Sequence, residues 1–311
     1  MYNIVQNRKY YYLGSAIIIS ISLLLIGYSL ITTGQPFRLS IDFTGGVYWE
    51  FKLGQAAAPT DVRDLFTEFG LSDTSVTTIG ADTNEYQARL KSVDPDTKTA
   101  IENQLGETFG GIETIQYRNV GPAVGHEVTR SALIAVFFVA IAIVIFMVIA
   151  FRNVSHPVRY GVAAVVAMVH DVVVACGFAA LMGVVAGWEV DALFLTALLT
   201  VLGFSVQDTI VVFDRVRENS ARHRGEDFET IANRSLLETV GRSLTTQLNA
   251  MFIMVAILFF GGDTIKPFIA VLFIGMLSGT YSSIFNATPL LVTWEKSAQK
   301  RAKSRRAAAA A

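Results

Sequence analysis

Residues 192–213 read ALFLTALLTVLGFSVQDTIVVF, a run long enough to cross a bilayer in which Asp208 is the only charge. A carboxylate at membrane depth costs roughly 2.5–3.5 kcal/mol on insertion scales, so it faces a partner or a water-filled path. The simplest account of Asp208 is a protonation site. The same run therefore indicates both a membrane protein and a place where it does work.

The rest of the chain extends this reading. Of 311 residues, 52% are hydrophobic and 16% charged, too apolar for an ordinary soluble domain. Windows of about 20 apolar residues predict six spans, at 12–31, 131–150, 158–182, 192–213, 244–260 and 268–294. The expected fold is a polytopic α-helical membrane protein with six transmembrane helices and one external α+β domain between helices 1 and 2. Its expected parts are a cytoplasmic N-terminus with the first helix (1–31), an external domain (32–130), a five-helix bundle (131–294) and a basic cytoplasmic tail (295–311).

Orientation follows from Lys and Arg in the short loops. Arg8, Lys9, Arg152, Arg159, Arg215, Arg217, Arg222, Arg224, Arg234, Arg242 and the tail cations Lys296, Lys300, Arg301, Lys303, Arg305 and Arg306 fall on one side, against Lys266 on the other. Both termini are expected to be cytoplasmic, in a multi-pass cell (inner) membrane protein with its large loop outside. The net charge of -1 conceals this asymmetry. The tail reads as facing membrane lipid headgroups rather than nucleic acid, with a specific partner site as the alternative. The first span, lacking a small-residue cleavage site, reads as an uncleaved anchor. The single cysteine, Cys176, lies inside the third span, so the loop has no disulfide and must be held by its own core.

Within that loop, residues 47–53 (VYWEFKL) alternate as a strand and 59–69 read as a helix capped at Pro-Thr-Asp. Residues 75–79 and 85–90 read as strands around a turn at 82–84, 94–109 as a helix and 113–117 as a strand. The order β-α-β-β-α-β is that of a split-βαβ, ferredoxin-like unit, which specifies packing and not chemistry. Two glycine motifs flank it. IDFTGG (41–46) holds Asp42, Gly45 and Gly46, and VGPAVG (120–125) holds Gly121, Pro122 and Gly125. Each reads as a local turn or as a hinge joining a mobile domain to the membrane.

Counting inward from the outer loops places Asp208, Arg242 and Asn286 each 19 positions deep, from Glu189, Gly261 and Pro267 respectively. At about 1.5 Å per residue this is a polar layer roughly 28 Å down. Ser205, Gln207 and Thr209 flank Asp208, and Thr245, Thr246, Gln247 and Asn249 follow Arg242, side chains able to hold water or to switch partners. Two readings stand: a proton relay of Asp208 and Arg242, or a fixed ion pair locking the bundle, with Arg242 alternatively snorkelling to the surface. His170 and Asp171, 16 positions from Gly187, either extend the path or orient helices as a satisfied pair. Gly275 and Gly279 form a small-xxx-small packing face. The chain contains no GxxxxGK[ST], HExxH or CxxC, so no cofactor, metal or enzymatic activity is expected, and an ion gradient is the candidate energy source.

These motifs together resemble a family. IDFTGG, VGPAVGHEV (120–128), His170-Asp171, GFSVQDTIVVFDRVREN (203–219) and ANRSLLETVGRS (232–243) are similar to the SecF family of the bacterial protein-export machinery, within the RND transporter superfamily. The resemblance covers nearly the whole chain. It implies a SecD partner supplying a pseudo-symmetric second half, proton-driven pulling of the translocating preprotein on the outer side, and the SecYEG channel with its SecA motor as co-workers. It also implies that Asp208 carries the proton and Arg242 is its basic partner. Gln207 stands where the family usually has Asn, and Ala250 where it tends to have a hydroxyl. The competing readings are a structural subunit that stabilises the export channel without conducting ions and an intramembrane aspartyl protease built on Asp171 and Asp208. Against the protease, the two carboxylates differ in depth by three positions, about 4–5 Å.

Overall fold

Alternating side chains in a short segment and long unbroken apolar runs elsewhere divide the chain into two units, Leu39–Leu133 and the remainder (1–38 with 134–311). The computed structural model describes residues 3–79, 84–152, 154 and 156–310, and of Asp263, Ala302, Lys303 and 305–310 the backbone alone. The expected turn at 82–84 lies largely outside the described residues.

The first unit begins with a short helix α2 (Ile41–Thr44), capped by Ser40, whose hydroxyl accepts from the Asp42 N–H at 3.2 Å. It continues through β1 (Gly46–Leu53), α3 (Pro59–Glu68), β2 (Ser75–Thr78), β3 (Glu85–Leu90), α4 (Pro95–Thr108) and β4 (Ile112–Val120). The sheet is antiparallel, in the order β2-β3-β1-β4. Alternation in β1 sends Val47, Trp49, Phe51 and Leu53 into one core with Val62, Phe66, Tyr86, Ile101 and Leu105 from the helices and β3. Pro59 starts α3 without a side-chain cap, contrary to the expected capping by Pro-Thr-Asp; Asp94 does cap α4, accepting from the Thr97 N–H at 2.9 Å. Strand β4 runs three residues beyond its expected end at 117 because it pairs along the whole of β1, with a bulge between Glu50 and Phe51.

The two glycine motifs meet inside this unit. Gly45 and Gly46 have φ of 71° and 119°, conformations that other residues adopt only with strain. Pro122 begins the helix α5 (Pro122–Ala150), which passes through Gly125 without a break. A Cβ on Gly125 would stand 2.7 Å from the Gly45 nitrogen and 2.8 Å from the Phe43 oxygen. Gly125 is therefore held in close contact with Phe43 and Gly45, whereas a Cβ on Gly121 would meet nothing within 4 Å.

The second unit holds α1 (Arg8–Thr33), the greater part of α5, α6 (Pro157–Val185), α7 (Ala192–Arg222) and α8 (Phe228–Phe260). It ends with α9 (Lys266–Ser282), a π-helical turn (Ser283–Ala287) and α10 (Thr288–Ala310). Together these make six helices of membrane length and composition. The buried positions of α1 are Ser15, Ser22 and Ser29, a heptad-spaced stripe of small residues. Opposite it, a Cβ on Gly177 of α6 would stand 2.5 Å from Ser22 Cβ. Gly275 of α9 likewise faces Val201 of α7, with 2.3 Å left for a Cβ. Backbones approach closely wherever a side chain is missing, the usual way helices associate where lipid removes the hydrophobic drive between them.

Candidate functional site

Two buried carboxylates each bond to polar side chains of neighbouring membrane helices. Asp208, 5% exposed, lies on the inward face of α7. Its Oδ2 accepts from Gln247 Nε2 of α8 at 2.8 Å, and Ser243 is buried one turn before Gln247 on the same face. Gln247 Oε1 is buried with no partner among the described residues.

The expected layer of Asp208, Arg242 and Asn286 does not assemble. Arg242 is exposed and makes no ion pair with Asp208 among the described residues. Counting along a helix gives depth but not direction: the face of α8 that meets α7 is set by Ser243 and Gln247, and Arg242 is about 100° away from the former. Arg242, Thr245, Thr246 and Asn249 instead form an exposed stripe at i, i+3, i+4 and i+7. Gln207, although adjacent to Asp208, is also exposed. Asn286 belongs to the π-helical turn, where its Oδ1 accepts from Ser15 Oγ of α1 at 2.7 Å.

The second carboxylate is more completely enclosed. Asp171 of α6 is 0% exposed. It accepts from Ser205 of α7 at 2.6 Å, from Ser278 of α9 at 2.7 Å and from Ser282 of α9 at 2.7 Å, and His170 Nδ1 lies 3.0 Å from its Oδ1. Gly279 allows this convergence, since a Cβ there would stand 3.3 Å from Ser205 Cβ. Asp171 and Asp208 are held by different partners and share no hydrogen bond, so the aspartyl dyad of the protease reading is not formed. Sequence reading missed Ser15, Ser243, Ser278 and Ser282. Ser278 and Ser282 stand beside Gly275 and Gly279 on one stripe of α9, and that stripe read as packing alone. At the basic end of α7, Arg215 pairs with Glu218 and Glu238, and Arg217 with Asp214, a solvated interfacial cluster.

Six apolar helices of membrane length, with one βαββαβ unit between the first and second, define a multi-pass membrane protein with a single extramembrane domain. The family described as "Protein export membrane protein SecD/SecF, C-terminal" matches residues 100–297. The chain is 44% identical over 309 residues to protein translocase subunit SecF of Thermobaculum terrenum, covering 95% of this chain and 94% of that one. It is 44% identical to SecF of Anaerolinea thermophila over 83% and 84% of the two chains. The chain therefore belongs to the SecF family of protein translocase subunits, and its role is in protein export. The crystal structure of SecDF, a translocon-associated membrane protein from Thermus thermophilus, superposes with a TM-score of 0.77 at 28% identity. That match covers 95% of this chain and 39% of the SecDF chain; a second SecDF structure, in a super-membrane-facing form, matches with a TM-score of 0.67 over 98% and 40%. This chain thus spans about two fifths of the length of the SecDF chains it matches.

Proposed function

We propose that this chain, joined to a SecD-type half, uses the proton motive force to drive late steps of preprotein translocation, with Asp208 as the proton carrier. The observation that carries the reading is the partner of Asp208. A carboxylate bonded to Arg or Lys is held as an anion, whereas Gln247 is neutral and has both a donor and an acceptor. Its Nε2 serves the carboxylate at 2.8 Å, and its buried Oε1, otherwise without a partner among the described residues, is the acceptor a protonated Asp208 needs. Rotation of one amide accommodates both protonation states at little cost.

The exposed stripe of Arg242, Thr245, Thr246 and Asn249 is expensive against lipid and suits a polar seam against the SecD half, from which Arg242 acts on the proton path. With both termini cytoplasmic, the α+β unit works on the outer side, where the preprotein leaves the SecYEG channel after SecA has pushed it, and the basic end of α10 lies at anionic lipid. The test is Asp208→Asn in vesicles containing the whole complex. Assembly is expected to be retained and the stimulation of late translocation by an imposed proton gradient to be lost; full stimulation in that variant refutes the reading. Arg242→Met is expected to lower stimulation without lowering complex yield.

A further inference from the structure

We propose that His170 and Asp171 form a second proton-binding centre, served from a groove beside α1, whose protonation loosens the attachment of α6 to α7 and α9. The proposal deepens the proton-coupled reading above and rests on it for its purpose, though not for its chemistry.

The centre has a latch on one side and an opening on the other. On the latch side, three serine hydroxyls from two neighbouring helices converge on one buried carboxylate at 2.6–2.7 Å. Hydrogen bonds to an ionised acceptor are roughly twice as strong as neutral ones, so the ionised form ties the three helices together most firmly. On the open side, His170 forms part of the wall of a cavity of about 290 Å³ between α1, α6 and the π-helical turn, lined also by Tyr12, Ser15, Ile19, Asn286 and Leu290. Its wall is mostly apolar, and the polar side chains on it are those of Tyr12, Ser15, His170 and Asn286. His170 is 4% exposed; its Nδ1 faces Asp171, and its Nε2, on the opposite edge of the ring, is buried with no partner among the described residues. The imidazole thus lies between the groove and the carboxylate, with its Nε2 enclosed.

The transfer balances without other groups. Neutral His170, carrying its proton on Nδ1, takes a proton at Nε2 from a hydronium ion entering by the groove, which leaves as water, and passes the Nδ1 proton to Asp171 Oδ1. A neutral imidazole protonated at Nε2 remains, facing a neutral carboxylic acid. Asp171 then binds its serines only through neutral hydrogen bonds, and the latch slackens. Ser205 stands three residues before Asp208 on α7, so a slackened latch frees the segment that carries the first proton site. The titratable groups facing the centre are His170 on α6 itself, Tyr281 on α9, whose ring stacks with His170 at 6.0 Å, Tyr12 on α1 across the cavity and Asp208 one turn along α7. Among the described residues, no Lys or Arg bonds to Asp171.

The test is infrared difference spectroscopy across a pH titration, on membranes holding the full chain with its SecD-type partner. Two pH-dependent protonated-carboxyl bands are expected, one missing in Asp208→Asn and the other missing in Asp171→Asn. Ser278→Ala combined with Ser282→Ala is expected to keep the second band and move its midpoint by roughly one pH unit, leaving the Asp208 band in place. Spectra of Asp171→Asn identical to the parent, or a second band indifferent to the serine pair, overturn the proposal. Should Asp171→Asn fail to assemble, the serine pair decides alone. A band lost in Asp171→Asn but none lost in Asp208→Asn supports this centre while defeating Asp208 as carrier, so the two readings fail separately.

Discussion

The α+β unit and the membrane bundle are held together by different physics, and their buried residues show it. The first buries Trp49, Phe51, Phe66 and Tyr86 in one interlocked core. The second buries Ser, Gly and Ala along its helix contacts: Ser15, Ser22 and Ser29 on α1, and Ala163, Ala167, Ala175, Gly177 and Ala180 among those on α6. In water, large apolar side chains stabilise by roughly 25 cal/mol per Å² removed from solvent. In lipid that gain is absent between helices, so close backbone approach and hydroxyl bonds take its place. A polar network is costly in either setting unless satisfied. The bundle can hold two enclosed carboxylates because its small residues bring donors from neighbouring helices within reach.

The contrast is testable as a graded set of losses. The largest is expected for Trp49→Ala, which opens a cavity in the α+β core and removes the Nε1–H bond to Thr114 Oγ1 at 3.1 Å. A loss of about 3–5 kcal/mol should appear as faster proteolysis of that unit in the full chain. Next, Gly275→Val in the bundle places a side chain where Val201 Cγ2 is only 2.3 Å from the new Cβ. Overpacking of about 1–3 kcal/mol should lower the thermal midpoint in detergent, and no change would mean that α7 and α9 are not held by close approach. Ser282→Ala, which deletes one of the hydroxyls on Asp171, is expected to cost about 0.6–1.7 kcal/mol in the same assay.

The smallest effect lies on the surface of the α+β unit and depends on pH. Burial pushes the Glu102 carboxyl up, but hydrogen bonds from Lys98 and from Thr114 outweigh it and hold the group below its ordinary range. A carboxyl whose folded value is depressed stabilises the fold above its unfolded value of about 4.3 and loses that contribution as pH falls through the folded value. Glu102→Gln is expected to cost about 0.5 kcal/mol or less at neutral pH and to flatten the acid dependence of proteolytic stability. A steeper acid dependence in that variant would contradict the assignment.

Much of this architecture was legible in the residues. Hydrophobic runs of bilayer length and the alternation in VYWEFKL depend on local periodicity, and both survive folding because lipid and core enforce them. The two buried carboxylates were legible too, since an acid is rare at that depth. Their partners were not. Asp208 was matched to Arg242 and Asn286 by depth, yet it is bonded to Gln247, because the rotation of α8 about its own axis is set by packing. The serines around Asp171 escaped notice because a serine beside glycine in a membrane helix carries the same signal whether it packs or bonds.

The amino-acid sequence by itself determined which segments enter the membrane, the βαββαβ order of the soluble unit and the presence of two acids in apolar surroundings. These follow from composition and period, which any compact arrangement must respect. Only the tertiary structure decided that Gly125 packs against Phe43 and Gly45, that Arg242 faces outward and that Asp171 collects hydroxyls from α7 and α9. Each of these depends on the azimuth and separation of helices far apart in the chain, and those quantities are set by which small residues allow close approach. The difference between an acid bonded to an amide and an acid surrounded by serines arises at that level.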